Sequence, residues 1–124
     1  MIIQESGENY LEAILIIEKE KQHVRSVDIS TFLGVSKPSV NKALKILVAA
    51  QYIEYPFSSK IVLTDSGRDK ALSVLERHHT ISEFLTGILN VDERTAEIDA
   101  CRIEHILSDT TFQKIKELII KKKG

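Results

Sequence analysis

Apolar residues recur at helical spacing over most of the chain, and two short β-prone runs interrupt them near the middle. Helices place residues three or four apart on one face, whereas strands alternate their faces. The pattern predicts these elements in order: helices over residues 7–20 and 27–33, a third helix with buried Val40, Ala43, Leu44 and Leu47, strands over 52–55 and 61–63, and helices over 65–85, 93–107 and 111–122. This order predicts a mainly α protein with one hairpin near its middle.

Residues that commonly begin or end helices stand at several predicted boundaries. Ser26, Ser36 and Thr64 are predicted N-caps, because a hydroxyl oxygen accepts a hydrogen bond from an unpaired helical N–H. Pro38 falls in a first turn, where the missing N–H costs nothing, and Gly34 can adopt the left-handed conformation that ends a helix. Two short helices joined by a glycine turn and followed by a hairpin predict a winged helix-turn-helix.

The second helix of this helix-turn-helix has an apolar and a polar side. The predicted seam between the two helices consists of Phe32, Leu33, Val35, Val40 and Leu44. The polar side offers donors for phosphates and base edges. The hairpin adds one lysine near its tip. The predicted DNA-binding residues are therefore Ser36, Lys37, Pro38, Ser39, Asn41, Lys42, Lys45 and Lys60. Residues 36–60 hold four lysines against Glu54 alone, a local balance of +3 in a chain of net charge −1. The alternative is an ordinary solvated lysine face, but the turn, caps and hairpin favour DNA binding.

The composition limits the class and the compartment of the protein. Its 124 residues suffice for one domain or two small lobes, and 43% of them are hydrophobic, which is enough for a core. Its start lacks the basic region of a signal peptide, and its longest apolar run is far shorter than the ~20 residues of a membrane span. We therefore expect a soluble, cytoplasmic protein. With a single cysteine no internal disulfide can form, so Cys101 is a core residue, a redox thiol or a metal ligand.

Residues of metal-ligand type cluster in the second half of the chain. Cys101, Glu104 and His105 share one face of a predicted helix, because they are spaced at i, i+3 and i+4. Thiolate, carboxylate and imidazole are donors for a divalent transition ion. His78, on the preceding long helix, can supply a fourth donor. Taken singly, His78 is more often a surface histidine and Cys101 a buried small hydrophobe.

The whole chain resembles the iron-dependent, or diphtheria toxin, repressor family, and especially its shorter manganese transport regulator branch. The resemblance rests on ENYLE (residues 8–12), VSKPSV (35–40), LTDSG (63–67), RH (77–78) and DACRIEHILSD (99–109). It implies a winged helix-turn-helix DNA-binding domain over residues 1–64 and a helical metal-binding and dimerisation domain over residues 65–124. It also implies a short form without the C-terminal β-barrel domain of the larger members.

The resemblance further implies a metal ion between the first helix and the dimerisation helices. The residues at the family's ligand positions are Glu12, His78, Cys101, Glu104 and His105, with Asn9 near the start and Glu97 at the ancillary position of the iron branch. Two residues depart from the family pattern, since Asn9 replaces Asp or Met and Ser82 replaces a glutamate. Cys101 follows the iron type and Glu12 the manganese type. The implied cofactor is therefore a divalent transition metal ion, Mn²⁺ or Fe²⁺, with Co²⁺ and Zn²⁺ as alternatives.

These features together predict metal-dependent control of transcription. The chain is expected to bind palindromic, double-stranded operator DNA as a homodimer and to repress metal-uptake genes, without a membrane or a small-molecule substrate. The predicted dimer contacts are apolar residues of the last two helices: Ile98, Ile103, Ile106, Leu107, Ile115 and Leu118.

Two alternatives stay open at this point. One is a winged-helix regulator that has lost metal sensing, and the other responds to a small molecule or, through Cys101, to an oxidant. An enzyme is disfavoured, because Cys101, Glu104 and His105 point in one direction from a single helix. A catalytic thiol and its base normally come from separate elements around a cleft.

Overall fold

A computed structural model of the protein describes residues 5–55 and 60–123. Within these residues the elements are α1 Glu5–Lys21, α2 Ser26–Leu33, α3 Lys37–Ala49, β1 Ile53–Glu54, β2 Val62–Leu63, α4 Asp65–Gly87, α5 Glu93–Ile106 and α6 Asp109–Lys123. The predicted mainly α fold, a winged helix-turn-helix followed by helices, is confirmed. The chain divides into two compact units, and the division falls within α4, between Leu72 and Ser73.

The first unit is built on the apolar stripe of α1. Leu11, Ile14 and Leu15 are at most 1% exposed, and Ile29 of α2 and Val40 of α3 are completely buried. α1 contacts both α2 and α3. Because burial of one large aliphatic side chain contributes about 1.5–3 kcal/mol, this core holds the two short helices on the first.

The start of α2 differs from the prediction. Ser26 is the first helical residue and the N-cap is Arg25, so the predicted serine cap is wrong. The Asp28 carboxylate reaches back and accepts a hydrogen bond from the Arg25 N–H at 3.0 Å. An ionised carboxylate is a stronger acceptor than a hydroxyl, and it fixes the helix start one residue earlier. Gly34 ends the helix as predicted, with φ 67° and ψ 36° and its N–H donating to the Ser30 carbonyl.

The seam between α2 and α3 contains four of the five predicted residues. Those that are buried or half-buried are Leu33, Val35, Val40 and Leu44. Phe32 is 48% exposed, so its assignment to the seam is wrong. The inner face of α2 is centred on Ile29, which Leu33 continues four residues later. Phe32 lies at the edge of that face.

The two strands form the predicted antiparallel hairpin, or wing. Ile53 pairs with Leu63, and Glu54 pairs with Val62. The first pair is buried and the second is exposed, as the alternation of strand faces requires. Of the predicted connection, residues 56–60, all but Lys60 lie outside the described residues.

The start of α4 packs against the residues that follow α3. Thr64 is the N-cap as predicted, because its hydroxyl accepts from the Gly67 N–H at 3.0 Å and donates to the Gln51 carbonyl at 2.7 Å. A Cβ at Gly67 would lie 1.8 Å from the Tyr52 carbonyl oxygen. Only glycine permits this approach, which joins α4 to the base of the wing.

The second unit has a core formed by α4 and α5. Ile81 and Leu85 of α4 form a buried cluster with Ala96 and Ala100 of α5. The two alanines are completely buried. Their small side chains let the helices approach closely enough for polar side chains on neighbouring turns to meet.

The last helix begins two residues earlier than predicted. Ser108 is its cap, because its hydroxyl accepts from the Thr111 N–H at 3.2 Å. The helix therefore starts at Asp109. Over residues 5–55 and 60–123, no helix combines the length and the apolar character that crossing a membrane requires.

Candidate nucleic-acid interface and candidate metal centre

α3 is held by its apolar face and begins at a capping serine. The Ser36 hydroxyl accepts from the Ser39 N–H at 3.3 Å and donates to the Ser39 hydroxyl at 2.9 Å. Pro38 lies in the first turn, as predicted. Leu44 and Leu47 are buried. The opposite face of α3 is left to solvent.

The exposed face of α3 carries most of the predicted DNA-binding residues. Seven of them are exposed there or at the helix start: Ser36, Lys37, Pro38, Ser39, Asn41, Lys42 and Lys45. The eighth, Lys60, is half-buried in the wing, just before β2. The face combines positive charge, hydroxyls and an amide, which are groups that contact phosphates and base edges.

A groove of about 550 Å³ runs between α3 and the wing, and the sequence did not predict it. Its lining consists of Asn41, Leu44, Lys45, Val48, Ala49 and Tyr55. Val48 and Tyr55 are each 43% exposed, which is high for large apolar side chains. A signal existed for Val48, since it follows Asn41 by seven residues and Lys45 by three and so shares their outward face. Tyr55 had no such signal, because its position depends on the folding of the wing.

His78 links two carboxylates within the second unit. Its Nδ1 lies 2.8 Å from Glu104 Oε2, and its Nε2 lies 2.7 Å from Glu97 Oε1. Although histidines are often exposed, His78 is only 7% exposed. The structure thus brings three predicted metal ligands, one from α4 and two from α5, into a hydrogen-bonded chain.

The side chains of Glu104 and His105 are both completely buried. As a whole residue, Glu104 is 2% exposed. Its Oε1 accepts no hydrogen bond from any residue that the structure describes. His105 Nε2 lies 3.2 Å from this oxygen, but outside hydrogen-bond geometry. A buried carboxylate oxygen without a donor is costly and calls for a positive partner.

The neighbouring carboxylates change the protonation of His78. The hydrogen bond to Glu104 raises the pKa of His78 to about 9, and the charges of Glu104 and Glu97 act in the same direction while burial opposes them. At neutral pH, His78 is therefore a cation that donates from both ring nitrogens.

Three further predicted ligands are Cys101, Asn9 and Glu12. Cys101 is exposed on α5, one turn before Glu104, and Asn9 and Glu12 are half-buried on α1 in the first unit. In the described parts of the chain, no three or more histidine, cysteine, aspartate or glutamate side chains are arranged so that they could hold a metal ion. Four predicted ligands instead follow one another in a single series of contacts, in the order Glu97, His78, Glu104 and His105.

Comparison with known protein families matches nearly the whole chain. Residues 3–58 match the model of the "Iron dependent repressor, N-terminal DNA binding domain". Residues 64–122 match that of the "Iron dependent repressor, metal binding and dimerisation domain". These matches cover the helix-turn-helix in one case and the His78–Glu104 region in the other.

Individual relatives are similar over most of the chain. An uncharacterized HTH-type transcriptional regulator of Methanocaldococcus jannaschii is 33% identical over 115 residues, which are 92% of each chain. The HTH-type transcriptional regulator MntR of Bacillus subtilis is 33% identical over 114 residues, which are 92% of this chain and 80% of the relative.

Solved structures share the same fold. The manganese regulator SloR superposes with a TM-score of 0.82 at 24% identity, over 96% of this chain and 54% of its own. This chain therefore spans about half the length of that solved protein. Further structures of the same fold contain manganese, Zn²⁺ or Cd²⁺, at 24–25% identity.

Proposed function

This chain belongs to the iron-dependent repressor family, whose members are metal-dependent transcriptional regulators and not enzymes, and we propose that it represses metal-uptake genes as a cytoplasmic homodimer. In this proposal a divalent ion, Mn²⁺ or Fe²⁺, activates binding to a palindromic operator. Each protomer places the exposed face of α3 in a major groove. The domain division is proposed near residue 64, where the wing ends and α4 begins.

The observation that carries the metal proposal is the buried carboxylate of Glu104. Its Oε1 has no hydrogen-bond donor among the described residues, and the imidazole of His105 lies beside it. Carboxylate and imidazole are donors suited to a divalent transition ion. The chemistry of these residues therefore suits the ion that the family implies, although the described side chains must rearrange to hold it and His78 must first release a proton.

We assign Glu104, His105 and His78 as the central ligands, with Cys101 one turn earlier on α5. Glu97 is the proposed ancillary ligand, because it already contacts His78 Nε2. Asn9 and Glu12 of α1 stay predictions from the family resemblance. The ion would supply a positive charge beside the Glu104 carboxylate, while His78, once neutral, could direct a ring nitrogen to it.

The DNA-binding proposal is supported by the solvent-exposed face of α3. Asn41 can pair with adenine through its amide, and Lys37, Lys42 and Lys45 can neutralise phosphates. The groove beside this face adds Val48 and Tyr55. In DNA, one sugar–phosphate strand separates the major groove from the adjacent minor groove. With α3 in the major groove, this strand would lie in the protein groove between α3 and the wing.

The test combines metal titration with DNA binding. A duplex is selected from a random library with the Mn²⁺-loaded protein, and its affinity is measured by fluorescence anisotropy with and without metal. We expect the metal to increase affinity at least about tenfold, the usual size of an allosteric coupling. His105→Ala should remove this increase, whereas His23→Ala, which changes an exposed histidine of the first unit, should retain it.

The alternative is a winged-helix regulator that no longer senses metal. It is favoured by the contacts that occupy both ring nitrogens of His78, and by the lack, among the described residues, of three ligand side chains arranged to hold an ion. This alternative would be established if the protein binds DNA with normal affinity but shows no saturable binding of Mn²⁺, Fe²⁺, Co²⁺ or Zn²⁺. Cys101→Ser would then show whether the exposed thiol responds to an oxidant instead.

A further inference from the structure

We propose that Arg77 is a positioning residue of the candidate metal centre, which holds the last turn of α5 so that Glu104 and His105 present their donors together. This inference rests on the proposed metal-dependent function. It concerns a residue that neither the ligand spacing nor the charge pattern singled out.

The guanidinium of Arg77 makes contacts to the end of α5 and to the start of α6. Its Nη1 donates to the carbonyl oxygens of Glu104 at 3.2 Å and Leu107 at 2.6 Å. Its Nη2 pairs with the carboxylate of Asp109. The guanidinium carbon lies 5.1 Å from the centre of the Phe112 ring. The Arg77 side chain is only 16% exposed, so it is surrounded mainly by these protein groups and not by solvent.

Two consecutive residues of α4 therefore hold opposite ends of the same glutamate. Arg77 binds the main-chain carbonyl of Glu104, and His78 contacts its side-chain carboxylate at 2.8 Å. A shift of the last turn of α5 would break both contacts together. The direction of the Glu104 carboxylate is thus fixed from its backbone as well as from its tip.

The end of a helix needs this kind of partner. The last four carbonyls of a helix lack an intrahelical donor, and the C-terminal end of the dipole favours a positive charge. α5 ends at Ile106, so the Glu104 carbonyl is one of these groups. Arg77 meets both needs, because its planar fork has five donors and a permanent charge.

Lysine cannot reproduce this arrangement. Its ammonium is a compact point charge on a flexible stem, and it cannot span the two carbonyls and Asp109 in one plane. Arg77→Lys therefore keeps the charge while it removes the fork. The variant separates geometric positioning from a general effect of charge at the helix end.

The experiment uses the full chain and Co²⁺ as the probe. Co²⁺ affinity and the ligand-field absorption spectrum are measured for the parent, for Arg77→Lys and for Lys116→Ala. Lys116→Ala is the matched control, since it removes another α4–α6 ion pair, to Glu76, without a contact to Glu104. Thermal unfolding without metal gives the separate effect on fold stability.

We expect Arg77→Lys to lower Co²⁺ affinity about tenfold or more, the usual effect of losing a partner that orients metal ligands. The absorption spectrum should also change, because the ligand geometry changes. The control should match the parent in both measurements. A merely structural role for Arg77 predicts lower thermal stability with parental affinity and spectrum, and that result would overturn the proposal.

A second variant keeps the test decisive if Arg77→Lys does not fold. Asp109→Ala removes the exposed acidic partner and leaves Arg77 in place, so it should cause a smaller loss of Co²⁺ affinity in the same direction. Parental affinity and spectrum in this variant would then overturn the positioning role. A parent protein that binds no Co²⁺, Mn²⁺ or Fe²⁺ would instead overturn the proposed metal function, and the role of Arg77 with it.

Discussion

His78 is the residue whose chemistry the structure changes most. From the sequence it was an additional donor with a common surface alternative, but it is buried between two carboxylates. Its folded-state pKa of about 9 lies above the ordinary value of 6.5. Protonation of His78 therefore stabilises the fold below about pH 6.5, and this contribution is lost as the pH rises through about 9.

The raised pKa of His78 predicts that metal affinity increases with pH. Below pH 9 an ion must displace the His78 proton, so this residue alone should give about a tenfold gain per pH unit. Mn²⁺ affinity can be measured by electron paramagnetic resonance between pH 6.5 and 8.5. His78→Gln should bind more weakly and with a smaller slope, whereas His79→Ala, which alters the exposed neighbour, should keep the slope. If His78→Gln keeps the pH dependence of the parent protein, metal binding does not displace a proton from His78.

Spacing predicted which residues share a face, but not how deeply each is buried. Cys101, Glu104 and His105 lie on α5 as expected, yet Cys101 is exposed while Glu104 is 2% exposed. Helical periodicity gives direction around an axis, whereas depth depends on the neighbouring helix. The contact of His78 with Glu97 has the same origin, because no local pattern pairs residues of different helices.

On α3, two neighbouring residues should affect DNA binding differently. Asn41→Ala should reduce discrimination between the selected duplex and random DNA, with a loss of about 1–3 kcal/mol on the selected sequence. Lys42→Ala should weaken both about equally and reduce the salt slope by about one phosphate contact. Anisotropy titrations at several salt concentrations measure both quantities. Equal effects of the two variants on both DNAs would mean that this face does not read bases.

At the scale of elements, the sequence predicted what local chemistry determines. The helix periodicity, the Gly34 turn and the Ser36 and Thr64 caps are all present. The differences arise where a distant group competes with the local one. Asp28 replaced the expected Ser26 cap, and the packing of α2 left Phe32 at the edge of its inner face. The groove lined by Tyr55 likewise exists only once the wing lies beside α3.

The junction of α4 with the base of the wing should tolerate no side chain at Gly67. Gly67→Ala would place its Cβ against the Tyr52 carbonyl, so the backbone must move. We expect a loss of about 1–3 kcal/mol in the free energy of unfolding, measured by urea denaturation. Gly87→Ala, at the other end of the same helix, meets no atom within 4 Å and should be nearly neutral. If the two variants are equally stable, the close packing at Gly67 is not maintained in solution.

At the scale of the whole molecule, one long helix takes part in both compact units. The first turns of α4 belong to the unit that contains the wing, and the rest belongs to the unit that contains His78. α4 therefore links the unit that carries the candidate DNA-binding face with the unit that carries the candidate metal centre. A metal ion can change DNA affinity only by its different affinity for two arrangements of the protein.

The second unit exposes apolar side chains that a homodimer would cover. Ile106 is 77% exposed and Ile98 is 49% exposed on α5, and Leu118 is 45% exposed on α6. In a two-fold interface each residue contributes once from each protomer. Removing the Ile106 side chain from both protomers should therefore weaken the free energy of dimerisation by about 3 kcal/mol or more. Ile106→Glu should therefore raise the dimer dissociation constant at least about 100-fold.

Sedimentation equilibrium measures this change directly. The control is Val62→Glu, which places the same charge at an exposed apolar position of the wing, 44% exposed, and should leave the dimer intact. Monomeric Ile106→Glu should still bind Co²⁺, because Ile106 is not a proposed ligand, but it should lose affinity for a palindromic duplex more than for a single half-site. An unchanged dissociation constant would exclude the exposed end of α5 from the interface and direct the search to the other apolar residues of α5 and α6.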